Sequence, residues 1–195
     1  MTATVARLKD LQFRLEYALL RTIVAGVRAV PLDRATAFSA RWWRRLAPIV
    51  SPKRHKRALA NLAIAFPDKT PQERERIALA AWENLGRVMA ETMQLDRLVR
   101  DPSRIVIANP KVFDRYNGKL GPIVGCSLHL GNWELAIWPL TLAGARPAAV
   151  YRSVNNPYVD QYLRDQRKDL YPGGLFGRGR VEGDHGESQK TARAI

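Results

Sequence analysis

His129 and Glu134 are the two residues of this chain best suited to moving a proton. They lie five positions apart in the stretch Ile123 to Trp138, IVGCSLHLGNWELAIW. A carboxylate that holds an imidazole in one tautomer makes it a better general base toward a hydroxyl. On one continuous helix the pair would diverge by about 140°, since each residue turns about 100°. Across a strand-turn-helix junction the two can converge, and the local sequence predicts such a junction. Ile123, Val124, Cys126 and Leu128 read as a short buried strand that delivers His129 to its carboxyl end. Gly131 lets the backbone turn, and Asn132 caps a helix running from near Trp133 to about Leu142. The plainer reading of the same residues is a satisfied histidine at a strand end and a solvated helix glutamate.

Those elements need a core and a partner surface. With 46% hydrophobic and 26% charged residues, the chain reads as globular rather than disordered. Its 195 residues suffice for one sizeable core, or one domain plus an anchor. Thirty-two Lys and Arg against 18 Asp and Glu leave a formal charge of +14, which calls for acidic company: anionic lipid, nucleic acid or an acidic protein. The single cysteine, Cys126, rules out an internal disulfide and fits a reducing compartment. Its place in the apolar run predicts burial. Its distance of three residues from His129 leaves a nucleophilic role as the alternative.

Ahead of this region, Leu11 to Val30 is strongly apolar but broken by Arg14, Glu16, Arg21 and Arg28, so no uncharged stretch is long enough to span a bilayer. The three arginines recur every seven residues and share one stripe of a helix that Pro31 ends. The pattern suits an amphipathic helix at a membrane interface, or a core-facing helix of a soluble domain. Residues 41–57, RWWRRLAPIVSPKRHKR, carry seven Lys or Arg, no acid, and the adjacent Trp42 and Trp43. Indoles favour the headgroup level and cations favour anionic lipid. The same residues could stack on and pair with nucleic acid, although no nucleic-acid-binding signature or zinc-ligand spacing accompanies them.

From Lys56 the text predicts a helical hairpin. Asn61-Leu62 and Phe66-Pro67 close its first helix. Thr70 and Pro71 open the second as N-cap and first helical residue, with Glu73 beside them, and its apolar period runs to Leu95. A short strand is predicted at Ile105–Ala108 and a buried one at Ala148–Tyr151. The latter leads into Arg152 and then Asn156-Pro157, which opens a helix carrying Arg164 and Arg167. The glycine-rich stretch from Tyr171 could let a phosphate approach but matches no P-loop or Rossmann fingerprint. Asp184, His185 and Glu187 read as solvated residues rather than a metal site, and Lys190 to Ile195 as the start of a helix.

HLGNWE resembles the H-x4-[D/E] box of glycerolipid-type acyltransferases, in the form found in the lipid A late acyltransferases (lauroyl/myristoyl type). The resemblance extends from Lys53 to about Arg167. It takes in R-x3-NL-x3-FP, then N-x-G-x4-E (Asn84, Gly86, Glu91), the box itself, and a block with Arg152, Asn156, Pro157 and Arg167. It implies an α/β fold in which a helical, membrane-associated section (residues 1–50) precedes an acyltransferase domain (51–195). That domain would be a mixed, mostly parallel sheet with crossover helices. His129 and Glu134 would be catalytic, and Arg152, Asn132 and Arg167 would bind substrate, with no metal and no cofactor. An acyl-carrier protein would donate the chain to a phosphorylated glycolipid on the anionic, cytoplasmic face of the inner membrane, with no role for nucleic acid. A transferase of another membrane lipid and a membrane-binding remnant are the competing readings. The family's later Asp-Gln pair and Phe-Phe-Gly segment have no counterpart here, so part of the sheet and acyl pocket is expected to lie beyond this sequence.

Overall fold

The computed structural model describes residues 3–112, 122–128 and 130–178. Among these the helices are α1 (Ala3–Arg28), α2 (Leu32–Val50), α3 (Pro52–Ala65), α4 (Pro71–Thr92), α5 (Leu95–Arg100), α6 (Trp138–Leu142) and α7 (Pro157–Arg167). The strands are β1 (Ala148–Arg152) and β2 (Gly174–Arg178), which flank α7. Packing divides the chain into two compact units. A helical unit comprises Thr22–Arg100 and His129–Asn132, and an α/β unit comprises Met1–Arg21, Asp101–Leu128 and Trp133–Ile195.

The helical unit is built on the crossing of α2 and α4. Its buried side chains are mostly small, Ala35, Ala40, Ala47, Ala78 and Ala90 among them, and small residues let helix axes come close. The closest point is Gly86. A Cβ there would lie 2.6 Å from Trp43 Cβ and 2.7 Å from the Ser39 carbonyl oxygen. The Ser39 hydroxyl donates to the Gly86 carbonyl oxygen at 2.6 Å. α4 starts where the sequence predicts, in a capping box in which Thr70 and Glu73 satisfy each other's backbone N–H. α3 is tied to α4 through the Trp82 indole, which donates to His55 Nδ1 at 3.1 Å. Because the indole can only donate, Nε2 carries the imidazole hydrogen toward Glu75, 3.1 Å away. At the end of α1, Arg28 grips Asp96 with two hydrogen bonds of 2.6 and 2.9 Å, and these hold the Asp96 carboxyl below its ordinary pKa.

In the α/β unit, β1 and β2 run parallel with Ala148 opposite Gly174 and Arg152 opposite Arg178, and α7 is the crossover between them. The first part of α1 packs here. Tyr17 lies 6.1 and 6.4 Å from the rings of Tyr158 and Tyr162, while the guanidinium groups of Arg14 and Arg21 sit over those same two rings. Asn156, 4% exposed, caps α7 through the N–H groups of Tyr158 and Val159 and donates to the Phe13 carbonyl oxygen and to Glu16. Arg14 and Arg21 of the stripe therefore face the protein's own aromatic residues, while Arg28 faces Asp96. The opposite face of α1, with Val5, Leu8, Leu11, Leu15 and Leu19, is exposed. No helix among the described residues is long and apolar enough to cross a membrane.

Four expectations are corrected, the first being that β1 is buried: Val150 is 75% exposed. Ile123–Leu128 is not a buried strand: it has no ladder, Val124 is 94% exposed, and the Cys126 thiol is exposed. Residues 105–107 are likewise unpaired. A strand exists only beside a neighbour, and the one ladder among the described residues joins β1 to β2. Conversely, the glycine-rich stretch read as a loop contains β2. Gly173 meets the Arg146 and Pro147 carbonyl oxygens so closely that no side chain would fit, and Gly177 lies against the Ser153 side chain. Asp184, His185, Glu187 and residues 190–195 lie outside the described residues.

Replacing Gly86 with Ala should force α2 and α4 apart, because both near neighbours are backbone or Cβ atoms. The overpacking costs roughly 1–3 kcal/mol, a fall in Tm of roughly 3–8 °C. An unchanged thermal unfolding midpoint would show that the helices do not cross this closely.

Candidate active site

The α/β unit resumes at Trp133 with a short 3-10 helix, Trp133–Ile137, and then α6, so the helix expected after the box is present at nearly the expected bounds. Glu134 is in its first turn and only 8% exposed. Both of its carboxylate oxygens are held by Arg167 at the end of α7, Nε to Oε2 at 2.7 Å and Nη2 to Oε1 at 2.6 Å. This forked geometry is the strongest that a guanidinium offers a carboxylate. Burial works against the charged form of Arg167, but the hydrogen bonds and attraction of Glu134 outweigh it and hold its pKa above the ordinary value. The neighbouring Tyr171 phenol is pushed up, first by burial and then by the negative charge of Glu134. The structure thus brings together two of the residues singled out from sequence and fixes the orientation of the carboxylate.

Arg152 stands exposed at the carboxyl end of β1. The turn that follows it is held by Asp160, a buried residue that sequence reasoning did not single out. Its two oxygens accept from the Tyr151 hydroxyl and from the Val154 N–H, each at 2.8 Å. The available signal was an acid in the first turn of α7, which reads equally well as a partner for the helix dipole. Arg164 is exposed, as expected of a solvated residue.

In the helical unit, Gly131 adopts φ +54°, the left-handed conformation that the expected turn requires. Asn132 donates its side-chain amide to Glu91 Oε2 of α4 at 2.8 Å. A residue of the N-x-G-x4-E motif is therefore bonded to one of the H-x-G-N-W-E box. His129 itself lies outside the described residues. Among those described, no group of three or more His, Cys, Asp or Glu side chains is placed to hold a metal ion.

A carboxylate fixed in an α/β unit next to a histidine-bearing turn in the sequence fits the class of acyl-transferring enzymes. The sequence model for bacterial lipid A biosynthesis acyltransferases matches residues 9–171, from within α1 to beyond α7. The chain belongs to that family. No curated protein and no solved structure matches it.

Arg167→Met leaves Glu134 buried without its cation and should cost about 3–5 kcal/mol. Adding Glu134→Gln should recover part of that loss in thermal unfolding. Additive effects of the two substitutions would show that the pair is not formed.

Proposed function

We propose that this acyltransferase moves a fatty acyl chain from acyl-carrier protein to a hydroxyl of a phosphorylated lipid A precursor, at the cytoplasmic face of the inner membrane. The observation that carries the reading is the family match across the whole H-x4-E region. In this scheme His129 takes the proton of the acceptor hydroxyl as its oxygen attacks the thioester carbonyl, with Glu134 as the carboxylate partner of the imidazole. The C–S bond then breaks, and the proton passes to the departing thiolate, leaving an ester and a free carrier thiol. Arg152, an exposed cation at a strand end, suits the developing oxyanion or a substrate phosphate. Arg167 and Asn132 complete the set as residues that shape the site for substrate.

The membrane is the surface on which a glycolipid acceptor resides, and the exposed side chains support contact with it. The leucine stripe of α1 is one apolar face. On α2 of the helical unit, Phe38, Trp42, Leu46, Ile49 and Val50 are also exposed at helical spacing, all but Phe38 within the basic segment 41–57. An apolar cleft of about 940 Å3 adjoins that face, lined in part by Ile23, Val27, Val30 and Met89. Apolar stripes flanked by arginine suit the headgroup boundary of an anionic bilayer.

Membranes containing the chain, supplied with labelled lauroyl- or myristoyl-acyl-carrier protein and a lipid A precursor, should yield labelled product. His129→Ala and Glu134→Ala should each lower it by about 100-fold or more. Absence of product with the wild-type chain would overturn the reading. Separately, Leu11→Ser/Leu15→Ser/Leu19→Ser should weaken flotation with anionic vesicles by at least about tenfold. Equal flotation of the triple variant would remove α1 from the membrane contact.

A further inference from the structure

We infer that Glu91 is a positioning residue of the active site, acting through Asn132, and not a proton carrier or a substrate ligand. The inference rests on the acyl-transfer reading above and adds to it a residue from a helix outside the box.

The segment entering the box, residues 122–128, has no ladder and is exposed. Backbone pairing therefore does not hold this approach to the turn. On the far side the backbone passes through the left-handed Gly131, a conformation that gives glycine no steric preference over its alternatives. A side chain ties this turn to α4. The Asn132 amide donates to Glu91 Oε2 at 2.8 Å, across 41 residues of sequence, and a hydrogen bond to an ionised acceptor is stronger and shorter than a neutral one. Glu91 is in turn held firmly. It lies five residues after Gly86, where α4 is pressed against α2, and one residue before α4 ends. The most closely packed point of the helical unit thus transmits its rigidity along α4 to the turn that follows His129 by three residues in the sequence. The N-x-G-x4-E motif gains a physical meaning from this arrangement: Gly86 sets where the helix lies, and Glu91 uses that placement.

A proton carrier needs the carboxylic acid itself, whereas a positioning acceptor needs only an oxygen at the same place. Glu91→Gln keeps such an oxygen and Glu91→Ala removes it. Asn132→Asp opposes two carboxylates, and the double variant Glu91→Gln/Asn132→Asp restores the bond with amide and carboxylate exchanged. The experiment measures kcat and KM for both substrates with the full chain, well below each variant's Tm. It also follows the NMR signal of the His129 imidazole, assigned by its loss in His129→Gln.

Glu91→Ala and Asn132→Asp should lower kcat by about 10- to 100-fold, with KM for donor and acceptor changed less than about twofold, as expected when only the reacting geometry is lost. Glu91→Gln should keep most of the activity. The exchanged pair should recover kcat, and the imidazole signal should move in the damaged variants and return in the exchanged one. Glu91→Gln as inactive as Glu91→Ala would overturn the inference in favour of proton transfer, and a raised KM would overturn it in favour of substrate binding. If the wild-type chain transfers no acyl group, the acyl-transfer reading falls, and the imidazole signal alone decides. Movement and return uphold the positioning role, and an unmoved signal overturns it.

Discussion

Two helices can press backbone to backbone only where one of them offers no side chain, and in the helical unit that place is Gly86. With Trp43 and the Ser39 carbonyl inside the space a Cβ would occupy, the crossing of α2 and α4 has one depth and one register. Neighbouring features depend on that register. Trp43 reaches the Trp82 ring at 6.2 Å, Arg44 meets Glu83 at 3.1 Å, and Glu91 comes to the side chain of Asn132. A small core of alanines achieves this through shape more than through apolar area, and such a core has little room to adjust around an added methyl group.

The α/β unit uses charge where the helical unit uses shape. A carboxylate as buried as Glu134 is costly to desolvate, and a single hydrogen bond would offset little of that cost. A forked guanidinium returns two bonds and an opposing charge together. Asp160 follows the same logic with neutral partners, and Asn156 with backbone groups and the Glu16 carboxylate, each side chain making at least two bonds. These polar groups are thus held in place by mutual saturation, which confers orientation more than stability.

The local features were legible from sequence because they are local in cause. Pro31, the Thr70-Pro71-Glu73 capping box, the Asn156-Pro157 start of α7 and the left-handed Gly131 each depend on a few adjacent residues. Ala148–Arg152 was readable as a strand from its own apolar run. The unpaired segment Ile123–Leu128 was not, since identical apolarity suits a strand only when neighbours flank it, and neighbours are a tertiary fact. β2 was hidden for the opposite reason: Gly174 and Gly177 suppress strand propensity, and Gly173 just before them is there for close approach to the Arg146 and Pro147 carbonyl oxygens. Within the candidate site, the types of Glu134 and Arg167 were apparent from the box and the block after it. Their bond to each other was not, because 33 residues separate them. The arginine stripe of α1 could be read as period seven, but the direction of Arg14 and Arg21, toward the tyrosines of α7, depends on a helix formed about 140 residues later.

That separation has a consequence for how the protein is made. The polar side of α1 finds its partners in Asp96, Asn156, Tyr158 and Tyr162, while its leucine side is exposed from the outset. At a synthesis rate of about 5–20 residues per second, roughly ten to thirty seconds pass between the appearance of α1 and that of α7. For that interval the part of α1 that packs on α7 lacks its partners, although Arg28 can already meet Asp96. Whatever first engages the leucine side during those seconds, be it a chaperone or a lipid surface, meets it before the fold does. The order of events at the ribosome, and not only the final free energy, thus governs which surroundings this helix enters.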